Sequence, residues 1–222
     1  MTLIFGISYI GSEDRAWLTR QWCHVVSLLN PDCHILAVHT ANPDWSFPRH
    51  EAVEVFEFPD NLGHLVGFGR AFTYGLLEAV RRGYRRIVHV ECDLLFLSPV
   101  APTLDAMTKP ILFVQARPHQ VPETGLMFFK PPDAEWMHRF ASAYDWRSAG
   151  PAHLEHSDRL PEVVFQKATI GEYQMKDFLG CRCEDLPRPL AVAAAAGLDW
   201  LTHATRPHYE AMMRHVGIEP VP

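Results

Sequence analysis

The most constraining feature of the sequence is an alternation between short apolar runs and segments whose apolar residues recur every three to four positions. Two such segments, one starting near Glu13 and one near Phe68, have the spacing of amphipathic helices. Four apolar runs are typical of buried strands and cover residues 3–10, 35–38, 53–58 and 86–90. Strands and helices that alternate in this way predict an α/β fold with a mostly parallel sheet and helices on both faces.

The second half of the chain continues this pattern less regularly. We predict strands over 111–115 and 125–129, and helices over 103–108, after Asp133 and over 162–168. Residues 147–161 contain a glycine and two prolines, which predicts a long surface loop of the kind that is often functional. No repeat or linker divides the chain, so we expect one domain over residues 1–222.

Composition excludes several classes of protein. The 222 residues carry a formal charge of -6, which argues against bulk nucleic-acid binding. No apolar run approaches the length of a membrane span, and the N-terminus lacks the basic residues of a signal peptide. Five cysteines without regular spacing do not predict a disulfide framework, so we expect a cytoplasmic protein. Cys181 and Cys183 form a CxC pair whose role the sequence leaves open.

The strongest chemical signal is Glu91-Cys92-Asp93, which directly follows an apolar strand. Alternation along an extended strand predicts that the two carboxylates lie on the same side. Ligands of open α/β sheets bind at the carboxyl ends of the strands. Two carboxylates at such an end indicate a hard divalent cation, Mg²⁺ or Mn²⁺, which in turn binds a diphosphate. The alternative is a strand end that simply enters solvent.

A second signal lies upstream, where Gly67, Gly69 and Arg70 are predicted at the start of a helix. Glycines permit close approach of a ligand to the backbone, and a helix N-terminus with a neighbouring arginine attracts phosphate. Neither the Gly-Lys-Ser/Thr of a P-loop nor the dinucleotide-binding glycine spacing is present. The alternative is a tight loop before a packed helix.

Together these segments resemble the donor-binding half of a GT-A glycosyltransferase, whose DxD motif corresponds to Glu91-Cys92-Asp93 here. The resemblance rests on Asn61-Leu62-Gly63, Gly67-Phe68-Gly69-Arg70-Ala71, Gly75-Leu76-Leu77-Glu78-Ala79, Gly83-Tyr84 and Ile87-Val88-His89-Val90-Glu91-Cys92-Asp93. It implies a single-domain GT-A fold and transfer of a sugar from a nucleotide-diphosphate sugar. Residues 1–100 would form the donor half, and residues 101–222 the acceptor half with the C-terminal segment.

The resemblance also implies roles for individual residues in donor binding. The end of the first strand, Ile7-Ser8-Tyr9, would line the base and ribose. Asn61 and Arg70 would bind the donor, with Arg70 close to the nucleotide or diphosphate. Arg206 would clamp the diphosphate.

The metal, Mn²⁺ or Mg²⁺, would be bound by residues from two parts of the chain. Asp93 would bind it directly, and Glu91 would contact it through water or contact the ribose hydroxyl. Such enzymes often take a further ligand from near the C-terminus, for which we favour His203 over His208 because His203 follows an apolar run.

Acceptor binding and proton transfer fall to the second half of the chain. Gly125-Leu126-Met127-Phe128-Phe129 resembles the strand that forms the acceptor floor in this superfamily, which implies that Thr124 and Gly125 face the acceptor; the alternative is a core strand. An inverting transfer needs a carboxylate that takes the proton of the acceptor hydroxyl. Glu162 occupies a suitable place after the long loop, with Asp158 as the second candidate, whereas a retaining transfer needs no such base.

Two other functions stay open. A nucleotidyltransferase or a metal phosphohydrolase also needs paired carboxylates, and a non-catalytic nucleotide-binding subunit would retain the fold without the chemistry. We favour a UDP-sugar as the donor partner. The sequence leaves open the acceptor, the stereochemistry and the oligomeric state.

Overall fold

A seven-stranded sheet forms the centre of the fold. The computed structural model describes residues 1–116, 121–143, 173–176, 180–182 and 198–222. The first half contains β1 Thr2–Tyr9, α1 Glu13–Leu29, β2 Cys33–Thr40, β3 Val53–Phe58, α2 His64–Arg81, β4 Arg86–Val90, β5 Leu94–Phe96 and α3 Val100–Ala106. The second half contains β6 Ile111–Ala116, β7 Val121–Phe129, α4 Ala134–Ala143, β8 Tyr173–Lys176, β9 Gly180–Arg182, β10 Trp200–Thr202 and, numbered α5 here, the helix Arg206–His215.

The strand order in the central sheet is β3-β2-β1-β4-β7-β6-β8. Strands β3, β2, β1 and β4 pair in parallel, and β6 pairs in parallel with β8. Only β7 among the described strands of this sheet runs against its neighbours, pairing antiparallel with both β4 and β6. The predicted α/β fold with a mostly parallel sheet is therefore confirmed.

Each face of the sheet has its own apolar core, because successive side chains of a strand point to opposite faces. On one face Ile4 of β1 belongs to a buried cluster with Trp22 of α1. On the other face Leu3 and Phe5 belong to a cluster with Phe72 of α2 and with residues of α4. Helices thus cover both faces, as predicted.

A second, three-stranded sheet has the order β5-β10-β9 and was not predicted from the sequence. Strand β10 pairs antiparallel with β5, so Trp200 lies opposite Phe96 and Thr202 opposite Leu94. This pairing brings the segment before α5 next to the residues that follow β4. Helix α5 then packs against α1, where Trp17 and Tyr209 lie with ring centroids 6.4 Å apart.

The helix boundaries agree with the sequence except at α2 and at α3, which spans Val100–Ala106 instead of the predicted 103–108. Helix α1 ends at Asn30, whose side-chain amide donates to the carbonyl of Val26 at 3.0 Å. Asp133 caps α4 as predicted, accepting from the Trp136 N–H at 2.7 Å. Helix α2, however, begins at His64 after Gly63, which adopts a φ of 80°. None of the described helices has the length and apolar character needed to cross a membrane.

Candidate functional site

The candidate site lies where β1 and β4 end side by side. The chain leaves β1 toward β2 on one side, while β4 pairs with β1 on the other side. Immediately after β4, the Cys92 N–H donates to the Ile7 carbonyl at 3.1 Å. In open α/β sheets, ligands bind in the crevice outside the carboxyl ends of two strands that diverge in this way.

Residues 91–94 form a turn at this edge. The Leu94 N–H donates to the Glu91 carbonyl at 3.0 Å, and the Glu91 N–H donates to the Gly125 carbonyl of β7 at 2.8 Å. Strand β4 has already ended at Val90. The prediction that Glu91 and Asp93 lie on the same side of an extended strand is therefore wrong, because that argument holds only for extended backbone.

Asp93 forms an ion pair with Arg15, a residue that was not predicted to belong to the site. The Nη1 of Arg15 donates to Oδ2 of Asp93, while Oδ1 of Asp93 is buried without a hydrogen-bond partner among the described residues. Burial by itself lowers the pKa of Arg15, but the carboxylate of Asp93 outweighs this effect and the pKa is raised. Arg15 is therefore charged at any physiological pH.

The backbone of Asp93 is fixed by the C-terminal part of the chain. The hydroxyls of Thr202 and Tyr209 both donate to the Asp93 carbonyl, each at 3.2 Å. Thr202 belongs to β10 and Tyr209 to α5. The unpredicted second sheet thus positions the most important predicted site residue.

Arg15 lies in the first turn of α1. Ser12 caps this helix by accepting from the Arg15 N–H at 3.3 Å, and Glu13 and Asp14 suit the positive N-terminal end. An arginine in the first turn opposes the helix dipole, so a tertiary contact is its expected purpose. That mismatch was the signal in the sequence that could have identified Arg15.

A cavity of about 220 Å³ opens beside this ion pair. Its lining combines α1 with the segment that enters α5, and consists of Asp14, Arg15, Leu18, His203, Ala204, Arg206 and Tyr209. Small-molecule sites usually measure about 300–1,000 Å³. This cavity therefore has room for part of a nucleotide sugar, such as its diphosphate, but not for all of it.

Of the two C-terminal histidines, the structure brings His203 to the site. His203 lines the cavity and adopts a φ of 55°, which a residue other than glycine rarely does. His208 instead lies in α5, where its Nδ1 is 2.9 Å from Oγ1 of Thr205. His203 is therefore the one of these two histidines that lines the cavity.

Arg206 also reaches the cavity, as its predicted role requires. Its guanidinium carbon lies 4.7 Å from the centroid of a Trp17 ring, and its Nε donates to Glu210 at 2.9 Å. Stacking on the indole holds the guanidinium in a defined position. Two arginines from distant parts of the sequence thus line one small cavity.

The predicted metal ligands do not form a metal site. No group of three or more His, Cys, Asp or Glu side chains is arranged to bind a metal ion in the part of the chain that the structure describes. One oxygen of Asp93 already contacts the guanidinium of Arg15, and a divalent ion at that oxygen would be repelled by it. As arranged, Asp93, Glu91 and His203 do not fit Mn²⁺ or Mg²⁺.

The last three residues of β1 differ in their exposure to solvent. Ile7 is half-buried, Ser8 is buried and Tyr9 is 49% exposed. Asn42 donates to the Tyr9 hydroxyl at 3.3 Å, and the Ser8 hydroxyl has no hydrogen-bond partner among the described residues. The exposed ring of Tyr9 stands at the carboxyl edge of the sheet.

Arg70 does not come to Asp93. Because α2 begins at His64, Gly67, Gly69 and Arg70 lie inside the helix, and the prediction that they form its start is wrong. Arg70 contacts Asp60 at 2.9 Å and lies 4.0 Å over the Phe58 ring, at the end of β3. Strands are spaced about 4.8 Å apart, so β3 lies about 14 Å from β4, and Arg70 is remote from Asp93.

The other predicted residues lie before α2, in β7 or outside the described part of the chain. Asn61 is exposed and accepts from the Gly63 N–H at 2.8 Å, so it shapes the turn before α2. Gly125 lies in β7 directly beside Glu91, and Thr124 precedes it in the same strand. The predicted bases Glu162 and Asp158, the predicted helix over 162–168 and Cys183 lie outside the described residues.

Comparison with solved structures identifies the fold. A glycosyltransferase involved in glycosylation of the major capsid of PBCV-1 matches with a TM-score of 0.60 and 10% identity over 96% of this chain and 98% of that one. The galactosyltransferase LgtC, in complex with donor and acceptor sugar analogs, matches with a TM-score of 0.54 and 9% identity over 100% of this chain and 98% of that one.

A third solved structure, the bifunctional glycosyltransferase WbbM, matches with a TM-score of 0.57 and 11% identity over 99% of this chain and 50% of that one. No family model and no curated protein matches the sequence. At such low identities these similarities establish the fold, which is the GT-A fold of glycosyltransferases. The resemblance drawn from the sequence is thereby confirmed at the level of the fold.

Proposed function

We propose that this protein is a glycosyltransferase that moves a sugar from a nucleotide-diphosphate sugar to an acceptor hydroxyl. The observation that carries the proposal is the meeting of Asp93 and Arg15 where β1 and β4 diverge, beside a cavity lined by two arginines. Phosphate groups favour arginine because its planar N–H fork matches their oxygens. The glycosyltransferases with the same fold support this choice of reaction.

The chemistry requires two events at the anomeric carbon of the donor sugar. The bond from this carbon to the β-phosphate oxygen breaks, and the acceptor oxygen forms a bond to the same carbon while losing its proton. Negative charge develops on the departing diphosphate. Cationic groups fixed near that charge, here Arg15 and Arg206, stabilise the transition state more than the bound donor.

The nucleoside would lie against the end of β1. The exposed ring of Tyr9 offers a surface for the base, and Ser8, whose hydroxyl is buried, would border the ribose with its backbone. Ile7 and Glu91 border the same crevice. Arg70 and Asn61, at the end of β3 and before α2, would contact only the far side of the base.

The acceptor would approach from β7, where Gly125 is adjacent to Glu91 and Thr124 precedes it. For an inverting transfer we propose Glu162 as the base that takes the hydroxyl proton, with Asp158 as the second choice. A UDP-sugar is the donor that we favour. These assignments rest on the resemblance to the GT-A glycosyltransferases.

Metal dependence is still a prediction from the sequence, and no step of the proposed reaction is assigned to a metal. The described residues give Asp93 a guanidinium partner in place of a metal ion. An assay of this protein therefore needs Mn²⁺, Mg²⁺ and EDTA as separate conditions.

The direct test is consumption of a panel of nucleotide-diphosphate sugars by the purified chain, followed as release of nucleoside diphosphate. We expect Asp93→Asn to lower the rate at least about 100-fold, because Asp93 holds Arg15 in place and loss of one positioned donor to the developing charge costs about that much. The matched control is Asp105→Asn, because Asp105 also pairs with an arginine, Arg86, but at the opposite end of β4.

A glycosyltransferase predicts slow hydrolysis of one donor by the wild-type chain and by Asp105→Asn. Release of pyrophosphate from a nucleoside triphosphate would instead identify a nucleotidyltransferase. Absence of turnover with every donor, in all three metal conditions, would contradict the proposed function.

A further inference from the structure

We propose that the guanidinium of Arg15 takes the place of a divalent metal ion at this site. The diphosphate of the donor then binds to Arg15 and Arg206 without a metal. The proposal rests on the proposed function, because it assigns the diphosphate of that donor to a place. It departs from the sequence prediction, in which Mn²⁺ or Mg²⁺ has this role.

The first step of the argument is the charge on Asp93. A carboxylate at the end of β4 with only 21% of its side chain exposed needs a positive partner. Arg15 supplies that partner from the first turn of α1, with a contact between Nη1 and Oδ2. The charge that a metal would neutralise is therefore already neutralised.

The second step is the remaining capacity of the guanidinium. An arginine carries five N–H donors in a planar fork, and Asp93 accepts from one nitrogen of Arg15. Arg15 also lines the cavity next to Asp93. A diphosphate oxygen in the cavity can thus accept from the same guanidinium that holds the carboxylate.

The third step is the balance of charge around the cavity. Among the described residues that line it, Arg15 and Arg206 are cationic and Asp14 is anionic, while His203 adds a proton donor. Arg206 is held by its contact with Trp17 and by Glu210. Asp93 and Glu210 balance the charges of the two arginines, so the diphosphate would be held by the guanidinium N–H donors that these carboxylates do not occupy rather than by an excess of positive charge. The cavity of about 220 Å³ accommodates two phosphate groups.

The test measures binding directly, without turnover. Inorganic pyrophosphate and UDP are titrated into the purified full chain by calorimetry, once in EDTA and once in MnCl₂. We expect both probes to bind in EDTA, with a dissociation constant that changes less than about threefold when Mn²⁺ is added. Binding that requires Mn²⁺, or no binding in either condition, would overturn the proposal.

Two substitutions attribute the binding to Arg15. Arg15→Gln should weaken binding of pyrophosphate in EDTA at least tenfold, and Arg15→Lys, which retains the charge, should restore part of it. Arg86→Gln is the matched control, because Arg86 forms the Arg–Asp pair at the opposite end of β4. Equal binding by Arg15→Gln and the wild-type chain would overturn the assignment.

A second readout is the affinity for the metal itself. In Arg15→Gln, Asp93 loses its partner, so Mn²⁺ binding followed by electron paramagnetic resonance should strengthen relative to the wild-type chain. Tight Mn²⁺ binding by the wild-type chain would overturn the proposal. This inference and the proposed function can fail separately. Turnover that stops in EDTA and returns with Mn²⁺ would reject the metal-free diphosphate site but would still support a glycosyltransferase.

Discussion

At the scale of single residues, the site depends on how closely the backbone of β1 approaches its neighbours. A Cβ added at Gly6 would lie 2.5 Å from Cζ2 of Trp22, 2.7 Å from the Val90 carbonyl oxygen and 2.8 Å from Sγ of Cys92. The carbonyl belongs to the sheet and has little freedom to move. Gly6 therefore permits β1, β4 and α1 to meet where the site lies.

We predict that Gly6→Ala lowers the free energy of unfolding by about 1–3 kcal/mol, the usual range for overpacking a core. Urea unfolding of the variant and the wild type measures the difference. Gly67→Ala is the control, since a Cβ at that position in α2 has no other heavy atom within 4 Å. It should stabilise the helix by about 0.5–1 kcal/mol, and a Gly6→Ala protein as stable as the wild type would refute this packing argument.

The sequence identifies one partner of the ion pair at the site, Asp93, but not the other, Arg15. Asp93 was predicted correctly as a residue at the carboxyl end of β4, because an apolar run that stops at a pair of carboxylates marks the end of a buried strand. Arg15 was missed because its partner lies 78 residues away, and no local pattern connects the two. Only its unfavourable place in the first turn of α1 marks it.

At the scale of elements, a cluster of charged residues connects α2 to the edge strand β3 through ion pairs. Arg82 donates to Glu54 of β3 and to Glu78 of α2, with contacts of 2.6 Å to each. Arg81 donates to Glu78 at 2.7 and 2.6 Å. These hydrogen bonds hold the pKa of Glu78 down, at about 2.

This cluster predicts a pH dependence of stability. The folded pKa of Glu78 lies below its unfolded value of about 4.5. Its contribution is therefore fully present above pH 4.5 and is lost as the pH falls toward 2. Glu78→Gln should flatten the dependence of the melting temperature on pH in that window, whereas Glu135→Gln, an exposed residue of α4, should not. Parallel curves for Glu78→Gln and the wild type would contradict this role.

The elements that the sequence predicted well are those with their own periodicity. Strands β3 and β4 agree with the prediction to the residue, and β1 agrees to within one. The small sheet was missed because β5, β9 and β10 are three residues each and carry no periodic signal. Its pairing of Trp200 with Phe96 joins distant segments, which local patterns do not encode.

At the scale of the whole molecule, α1 connects the site to the C-terminal segment. Tyr209, Met212 and Met213 of α5 are buried in the core cluster that contains Trp17 and Trp22. Further on, the buried Gln21 side chain donates to the Val221 carbonyl at 2.8 Å and accepts from the Val221 N–H at 2.9 Å. The helix that carries Arg15 thus also anchors residues 206–222.

We predict that Gln21→Ala releases this segment without unfolding the protein. Both hydrogen bonds to Val221 are lost, and because the released groups are then solvated by water, the loss costs about 0.5–1.5 kcal/mol for each hydrogen bond. Hydrogen exchange measured by NMR should show the Val221 amide exchanging at least about tenfold faster. The Leu201 amide in β10 serves as the internal control, and equal acceleration at both positions would indicate global destabilisation instead.

The claim that the edge between β1 and β4 binds a nucleotide-diphosphate sugar is tested most directly by thermal unfolding of the chain with a panel of such donors. Each donor is added in EDTA and, separately, in Mn²⁺, because a ligand that binds only the folded state raises the melting temperature. We predict that at least one donor raises it in both conditions and that Arg15→Gln reduces the increase, because Arg15 is a proposed ligand of the diphosphate. If no donor raises the melting temperature of the wild-type chain in either condition, the claim is contradicted.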